Sequence, residues 1–390
     1  MLNLLHHMVK QKASDLHIKA GSAPGFRIDG NVVQQAEYGT LSPDQTRALA
    51  AEVMSPEQRQ KFEAEKDFDF SYAVKDLARF RVNVLVQRGS VGMVIRQIPD
   101  RIPTVDELGL PQICRDLAMK PRGLVLVTGP TGSGKSTTLA AMIDFYNANE
   151  QGHILTMEDP IEFIHKDKKC FVNQRQIGQD TLSFSQALRR ALRQDPDVIL
   201  IGEMRDLETI GMAITAAETG HLVFGTLHTT SAISTVDRII DVFPHEAQQQ
   251  IRVQLATTLQ GVISQTLLPK AGGGRCAARE ILVASDGVRS LIREGKTPQI
   301  LNLMQTGGKL GMSTLEMELT AFVQKGLVSL EDAMSRANRP DEVQRNIAAG
   351  GGVRTAAAPA AHAAMAGSGN GSGMGQGARP GMAAAGRPRL

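Results

Sequence analysis

The sequence has no tryptophan and only three cysteines among 390 residues, and aromatic residues make up 4% of the chain. So few aromatic side chains leave little material for the stacking platforms of single-strand nucleic-acid binders. Cys114, Cys170 and Cys276 lie far apart, so no pair has the short spacing of a zinc site. We therefore expect no zinc, and an odd cysteine count without a secretory signal indicates reduced thiols.

Long apolar runs are also missing. No stretch approaches the roughly 18 apolar residues that span a bilayer, and residues 1–21 lack the charged and apolar regions of a secretory signal. We therefore expect a cytoplasmic protein.

Charge is nearly balanced, with 43 basic and 40 acidic residues. Four arginines and no acid lie in 350–390, which leaves 39 basic and 40 acidic residues in the rest of the chain. A nearly neutral body gives no electrostatic case for nucleic acid as a partner.

Periodicity divides the chain into two domains and a tail. Residues 1–98 combine alternating, strand-like segments with two helical ones, which predicts an α+β domain. Residues 99–111 are rich in proline and turn residues and read as a linker. Residues 112–346 alternate short apolar strands with helices, the pattern of an α/β domain whose parallel sheet is covered on both faces, and we expect helices from 247 to 337. Residues 347–390 are predicted to be disordered, since 350–390 hold 11 glycines and 12 alanines.

A phosphate-binding loop is the strongest chemical signal. Residues 129–136 (GPTGSGKS) fit the pattern G-x-x-x-x-G-K-[ST]. They lie between a predicted strand and a predicted helix, as such a loop requires. Lys135 is expected to reach the β- and γ-phosphates, and the Ser136 hydroxyl to bind Mg²⁺. The expected nucleotide-binding residues are Gly129, Pro130, Thr131, Gly132, Ser133, Gly134, Lys135, Ser136 and Thr137.

Three further predicted strands end in polar residues, which should converge on this loop because ligands bind at the carboxyl ends of parallel strands. Glu203 follows one strand and is expected to hold Mg²⁺ through water. Glu162 or Glu158, which follow another of these predicted strands, could polarise the attacking water. His228 could sense the γ-phosphate, although a lone histidine is more often structural.

The segments around these residues resemble the secretion and type IV pilus ATPases. Residues 192–206 (LRQDPDVILIGEMRD) are similar to their signature, 158–162 (EDPIE) to their aspartate box and 219–228 to their histidine box. The resemblance covers residues 1 to about 340, and 287–294 (GVRSLIRE) is similar to a helix motif of the pilus retraction ATPases.

This resemblance implies a PAS-like N-terminal domain, a RecA-like ATPase domain and a homohexameric ring that binds ATP and Mg²⁺. It implies that Glu162 is the general base and Glu203 the Walker B carboxylate, with Lys135 and His228 beside them. Retraction of type IV pili is the implied function, through an inner-membrane platform protein. By the same resemblance, the lack of closely spaced cysteines and the short N-terminal region favour retraction over pilus assembly.

Several other residues are candidates for phosphate or subunit contacts. The resemblance suggests Arg81 and Arg96 as phosphate contacts, but outward residues on strands would look the same. Further candidates for phosphate or subunit contacts are Thr219, His221, Arg238 and Arg275. Three alternative functions stay open: an accessory retraction ATPase beside a paralogue, a slow nucleotide-gated signalling ring, and a DNA translocase.

Overall fold

Two β-sheets, each with its own hydrophobic core, organise the part of the chain that the structure describes. The computed structural model describes residues 1–28, 30–98 and 101–349. The predicted disorder of the tail, from residue 350 onward, lies outside these ranges. None of the helices within them is long and apolar enough to cross a membrane.

The N-terminal sheet has six antiparallel strands in the order β3-β2-β1-β6-β5-β4. Alternation along the strands buries one face, where Leu16, Phe26, Val82 and Ile95 are fully covered. The strands are β1 Asp15–Ile18, β2 Gly25–Ile28, β3 Asn31–Gln34, β4 Asp67–Val74, β5 Ala78–Gln87 and β6 Ser90–Ile98.

Three helices accompany this sheet: α1 Leu2–Lys10, α2 Pro43–Val53 and α3 Pro56–Glu65. Ser42 and Ser55 cap α2 and α3 in capping boxes, and each is followed by a proline at the first helical position. The sequence predicted only two helices here. It missed α3 because this helix buries a single apolar side chain, Phe62, and shows no apolar periodicity.

The C-terminal sheet has seven strands in the order β13-β12-β7-β11-β10-β8-β9. All neighbouring pairs are parallel except β12 and β13. The strands are β7 Gly123–Thr128, β8 Gly152–Glu158, β9 Cys170–Gln176, β10 Val198–Ile201, β11 Leu222–Leu227, β12 Leu259–Pro269 and β13 Arg275–Val283.

Helices cover both faces of this sheet, as predicted. Along β7, Leu124 and Leu126 join one core, whereas Val125 and Val127 join the other. The helices are α4 Gln112–Ala118, α5 Lys135–Asn149, α6 Phe184–Ala191, α7 Leu207–Glu218, α8 Ala232–Asp241, α9 His245–Thr258, α10 Asp286–Arg293, α11 Ile300–Thr306, α12 Leu315–Gln324, α13 Leu330–Arg336 and α14 Pro340–Ala349.

Two of our sequence-based boundaries are wrong. Residues 247–337 are not helical throughout, because β12 and β13 occupy 259–269 and 275–283. The tail does not begin at residue 347, since α14 continues to Ala349 and buries Ile347.

The predicted linker is partly packed. Val105 and Leu110 are buried in the core that contains Cys114 and Leu117. The guanidinium group of Arg279 on β13 donates to the carbonyl oxygen of Leu108 at 3.1 Å. The second half of this segment is therefore held against the C-terminal sheet.

Candidate active site

The phosphate-loop sequence connects the end of β7 to the start of α5. Gly129, Gly132 and Gly134 all have positive φ, which glycine adopts without strain. At Gly129 a side chain has no room, because a Cβ would lie 2.2 Å from the backbone oxygen of Gln265. At Gly132 it would meet no atom within 4 Å, so that side of the loop is open.

Lys135 begins α5 and folds back over the loop. Its Nζ donates to the carbonyl oxygens of Gly129, at 2.9 Å, and Pro130, at 3.2 Å. Burial lowers the pKa of Lys135, while the negative charges of Glu203 and Glu162 act in the opposite direction. Both carboxylates therefore lie close enough to act on the ammonium group, so the structure brings these three predicted residues together.

Glu203 follows β10, and its carboxylate contacts an arginine and a histidine. Arg205 Nε donates to Glu203 Oε1, and His228 Nε2 lies 2.8 Å from the same oxygen. Partial burial alone would raise the pKa of Glu203, but these hydrogen bonds and charges outweigh burial, and the pKa is lowered. Glu203 is thus kept ionised, and Arg205 is a partner that the sequence did not identify.

The two acids of the 158–162 segment have different surroundings. Glu158 accepts hydrogen bonds from the Thr156 hydroxyl at 2.6 Å and from Gln174 Nε2 at 3.2 Å. Burial nevertheless raises the pKa of Glu158. Glu162 is exposed, with buried Ile161 and Phe163 on either side of it. The geometry therefore leaves Glu162 the more accessible carboxylate.

A row of threonine hydroxyls connects the loop to the segment after β11. Thr229 Oγ1 lies 2.6 Å from Thr235 Oγ1 on α8, and Thr235 Oγ1 is 3.3 Å from Thr128 Oγ1 at the end of β7. Thr128 and Thr235 are fully buried. The segment that carries His228 is thereby connected to the strand that leads into the loop.

Gln265 on β12 also contacts the loop, and the sequence gave no reason to single it out. Its Nε2 donates to the carbonyl oxygen of Ser133 at 2.7 Å, and its Oε1 accepts from the Thr138 hydroxyl at 2.9 Å. Because β12 was expected to be helical, no spacing in the sequence could have placed Gln265 beside the loop.

The N-terminal arginines lie side by side on the outward face of the N-terminal sheet. Arg81 and Arg96 are directly paired between β5 and β6, where they contact Asp69 at 3.4 Å and Asp15 at 2.7 Å. Arg96, Arg81 and Ser71 form one row across strands β6, β5 and β4, and Ser71 donates to Gln176 Oε1 at 2.9 Å. Gln176 pairs with Glu158, so the row starts beside the acidic segment.

The remaining candidates make no contact with Lys135 among the side-chain hydrogen bonds of the described residues. Thr219 and His221 precede β11 and contact each other at 3.3 Å, at the sheet edge opposite the loop. The six residues of β11 separate His221 from His228 by about 20 Å. This distance rules out contact of Thr219 or His221 with a phosphate at the loop of the same chain. Arg238 is exposed near the end of α8, and Arg275 is exposed at the start of β13. A subunit contact for these four residues stays a prediction.

The residues present fit a nucleotide and a magnesium ion. The buried Ser133 Oγ has no hydrogen-bond partner in the described part of the chain. Together with the Lys135 ammonium group and the N-terminus of α5, it lies where an anionic phosphate chain would be favoured. The Ser136 hydroxyl and the Glu203 carboxylate are oxygen ligands of the kind that Mg²⁺ prefers.

The α/β fold, the loop between β7 and α5, and the acids beside it define a P-loop ATPase. The family model described as "Type II/IV secretion system protein" matches residues 1–286, and the chain belongs to this family. The chain is 55% identical over 338 residues to the type IV pilus retraction ATPase PilT of Pseudomonas aeruginosa, across 87% of this chain and 98% of that protein.

Two further relatives show how far the likeness extends. The type IV pilus ATPase PilU of the same organism is 41% identical over 348 residues, across 89% of this chain and 91% of PilU. A crystal structure of the pilus retraction motor PilT with bound ADP has a TM-score of 0.84 at 50% identity, and the match covers 88% of this chain and 99% of that one.

Proposed function

We propose that this protein is the ATP-hydrolysing motor that powers retraction of type IV pili. The observation that carries the proposal is the phosphate loop, whose Lys135 lies within electrostatic reach of both Glu203 and Glu162. This site belongs to a chain whose likeness to a pilus retraction ATPase extends over 98% of that relative. The motor acts as a homohexameric ring at the cytoplasmic face of the inner membrane, on a platform protein.

Each site residue has a role in this proposal. Backbone N–H groups of residues 129–137 and the Lys135 ammonium group bind the phosphates of ATP. Ser136 and, through water, Glu203 would hold Mg²⁺, which would neutralise phosphate charge. Glu162 accepts the proton of the attacking water, and His228 orients Glu203 beside the γ-phosphate.

The N-terminal arginines complete the site from another side. Ser71 already contacts Gln176 beside the acidic segment, and Arg81 and Arg96 lie one and two strands further along the same row. These two steps correspond to about 5 and 10 Å of sheet width. A small rotation of the N-terminal sheet could therefore bring either guanidinium group to a phosphate, in the same or the next subunit.

The proposed architecture has a PAS-like domain over 1–98, a linker over 99–111 and a RecA-like domain that ends with α14. The separate hydrophobic cores of the two sheets support this division. ATP binding and hydrolysis change the angle between the two domains, and this movement is passed to the platform.

A main motor is favoured over an accessory one. Identity is 55% to the retraction ATPase PilT and 41% to PilU, over similar shares of this chain. A PilU-type paralogue would then act beside this protein rather than in its place.

The test is pilus retraction in a piliated strain that lacks this protein, complemented with the wild type or with Lys135→Ala. Lys135→Ala should restore protein level but neither retraction nor twitching, and the purified variant should not hydrolyse ATP. Normal retraction by Lys135→Ala would refute the proposal. Turnover by the purified wild-type protein at background level would instead favour the signalling ring.

A further inference from the structure

The strand β12 runs past the end of its neighbour β7 and continues beside the phosphate loop. Ser264 pairs with Thr128, the last residue of β7, so Gln265 is the first residue of β12 to lie level with the loop. Its backbone is in close contact with the loop, since the oxygen of Gln265 occupies the space that a Cβ at Gly129 would need. The loop therefore has β12 as a wall along one side.

The side chain of Gln265 reaches further into the loop than its backbone does. The residue is 3% exposed, and both ends of its amide group are used. The carbonyl oxygen of Ser133 can only accept, which fixes Nε2 on that side, and Oε1 then accepts from the Thr138 hydroxyl. One buried amide thus ties the loop and the first turns of α5 to the same strand.

This tether acts on a glycine-rich segment. Three glycines with positive φ give the loop many alternative conformations, and ordering a glycine-rich segment on binding costs conformational entropy. Ser133 comes two residues before Lys135, so fixing its carbonyl group also fixes where the following N–H groups and the ammonium group point. A loop already held in place gives up less entropy when it binds phosphate.

We propose that Gln265 is a positioning residue that holds the phosphate loop ready for nucleotide. The inference rests on the proposed function, in that it assumes the loop binds ATP and ADP. It predicts an effect on nucleotide affinity above all, because Gln265 touches the loop and α5 rather than Glu203, Glu162 or His228.

The first variant is Gln265→Ala in the full-length protein, measured by calorimetric titration with ADP and Mg²⁺ and by steady-state ATP hydrolysis. We expect about a tenfold rise in the Kd for ADP and in the KM for ATP, with kcat within about threefold, because a loop that is no longer held in place must be ordered on binding, and a tenfold change corresponds to about 1.4 kcal/mol. A merely structural residue would instead lower kcat through loss of folded protein and leave KM unchanged.

Gln260→Ala is the matched control. Gln260 lies on the same strand, but its amide donates to Arg122 at 3.2 Å, near the opposite end of the parallel strands. We expect its Kd and KM to equal those of the wild type.

Gln265→Glu keeps the shape and tests the donor alone. As a carboxylate this side chain would face the Ser133 oxygen without a proton to donate, and as a protonated acid it could donate again. The affinity loss, expressed relative to wild type at each pH, should therefore be larger at pH 8.5 than at pH 6. The variant also keeps the test decisive if Gln265→Ala fails to fold.

The outcomes separate the two proposals. If the wild type binds ADP and both Gln265 variants match Gln260→Ala, the positioning role is wrong and the proposed function stands. If the wild type binds no ADP, both proposals fail.

Discussion

Glu203 and His228, which follow the neighbouring strands β10 and β11, lie 2.8 Å apart between Oε1 and Nε2. The contact joins a carboxylate and an imidazole that follow neighbouring strands, at the carboxyl ends of the parallel strands. It also gives His228 a partner inside the site, so that its side chain acts on the carboxylate beside Lys135.

His228→Gln should lower kcat by about 10- to 100-fold while the Kd for ADP stays within about threefold. The reason is that His228 contacts Glu203 and not the loop, so its loss disturbs the carboxylate more than the phosphate contacts. Steady-state hydrolysis and ADP titration measure the two effects. His245→Gln, an exposed histidine at the start of α9, is the control. An unchanged kcat for His228→Gln would make His228 a structural residue.

Glu162→Gln should bind ATP normally and turn it over at least about 100-fold more slowly, because the proton of the attacking water loses its acceptor. Glu158→Gln is the matched variant. Its carboxyl group is already hydrogen-bonded to Thr156 and Gln174, so we expect a smaller loss. Single-turnover hydrolysis with separately measured ATP affinity distinguishes the two. A larger loss in Glu158→Gln would exchange their roles.

Most of the fold could be predicted from the sequence wherever the apolar residues follow one clear periodicity. The alternating strands of the N-terminal sheet and the four apolar strands that follow the linker are examples. Our prediction failed at β12, since α9 ends at Thr258 and the strand starts at the next residue, with no turn residue between them. It also missed β9, an edge strand whose exposed Phe171 and polar residues hide the alternation.

The site shows a similar division. Lys135, Glu203 and Glu162 could be predicted because each follows a recognisable strand, and the sheet brings those strand ends together. Gln265 could not be predicted, because its position beside the loop depends on the pairing of β12 with β7, which are more than 120 residues apart in the sequence.

A partly buried carboxyl group should make stability depend on pH. Glu318 on α12 accepts the backbone N–H of Arg279, and burial raises its pKa to about 7, although Arg279 and Lys325 act to lower it. The unfolded chain releases this proton near pH 4.5. The stability associated with the protonated group is therefore fully present below about pH 4.5 and is lost as the pH rises through about 7.

Glu318→Gln removes this dependence while keeping an acceptor for Arg279. Its Tm should equal that of the wild type near pH 4.5 and exceed it by several degrees at pH 8, for a gain of at most about 3 kcal/mol. Thermal unfolding followed by circular dichroism at both pH values measures the difference. A constant offset between the two proteins across this range would contradict the prediction.

Two shortened chains should distinguish the contribution of α14 to stability and activity from that of the residues after it. A chain that ends at Ala349 should keep the Tm and ATPase activity of the full protein, because it retains Val343 and Ile347, which are buried with Leu319 on α12. A chain that ends at Arg339 loses both buried side chains, at a cost of about 3–6 kcal/mol, and should unfold at a clearly lower temperature. If ending at Ala349 reduced ATP hydrolysis or ring assembly, residues 350–390 would be part of the working enzyme.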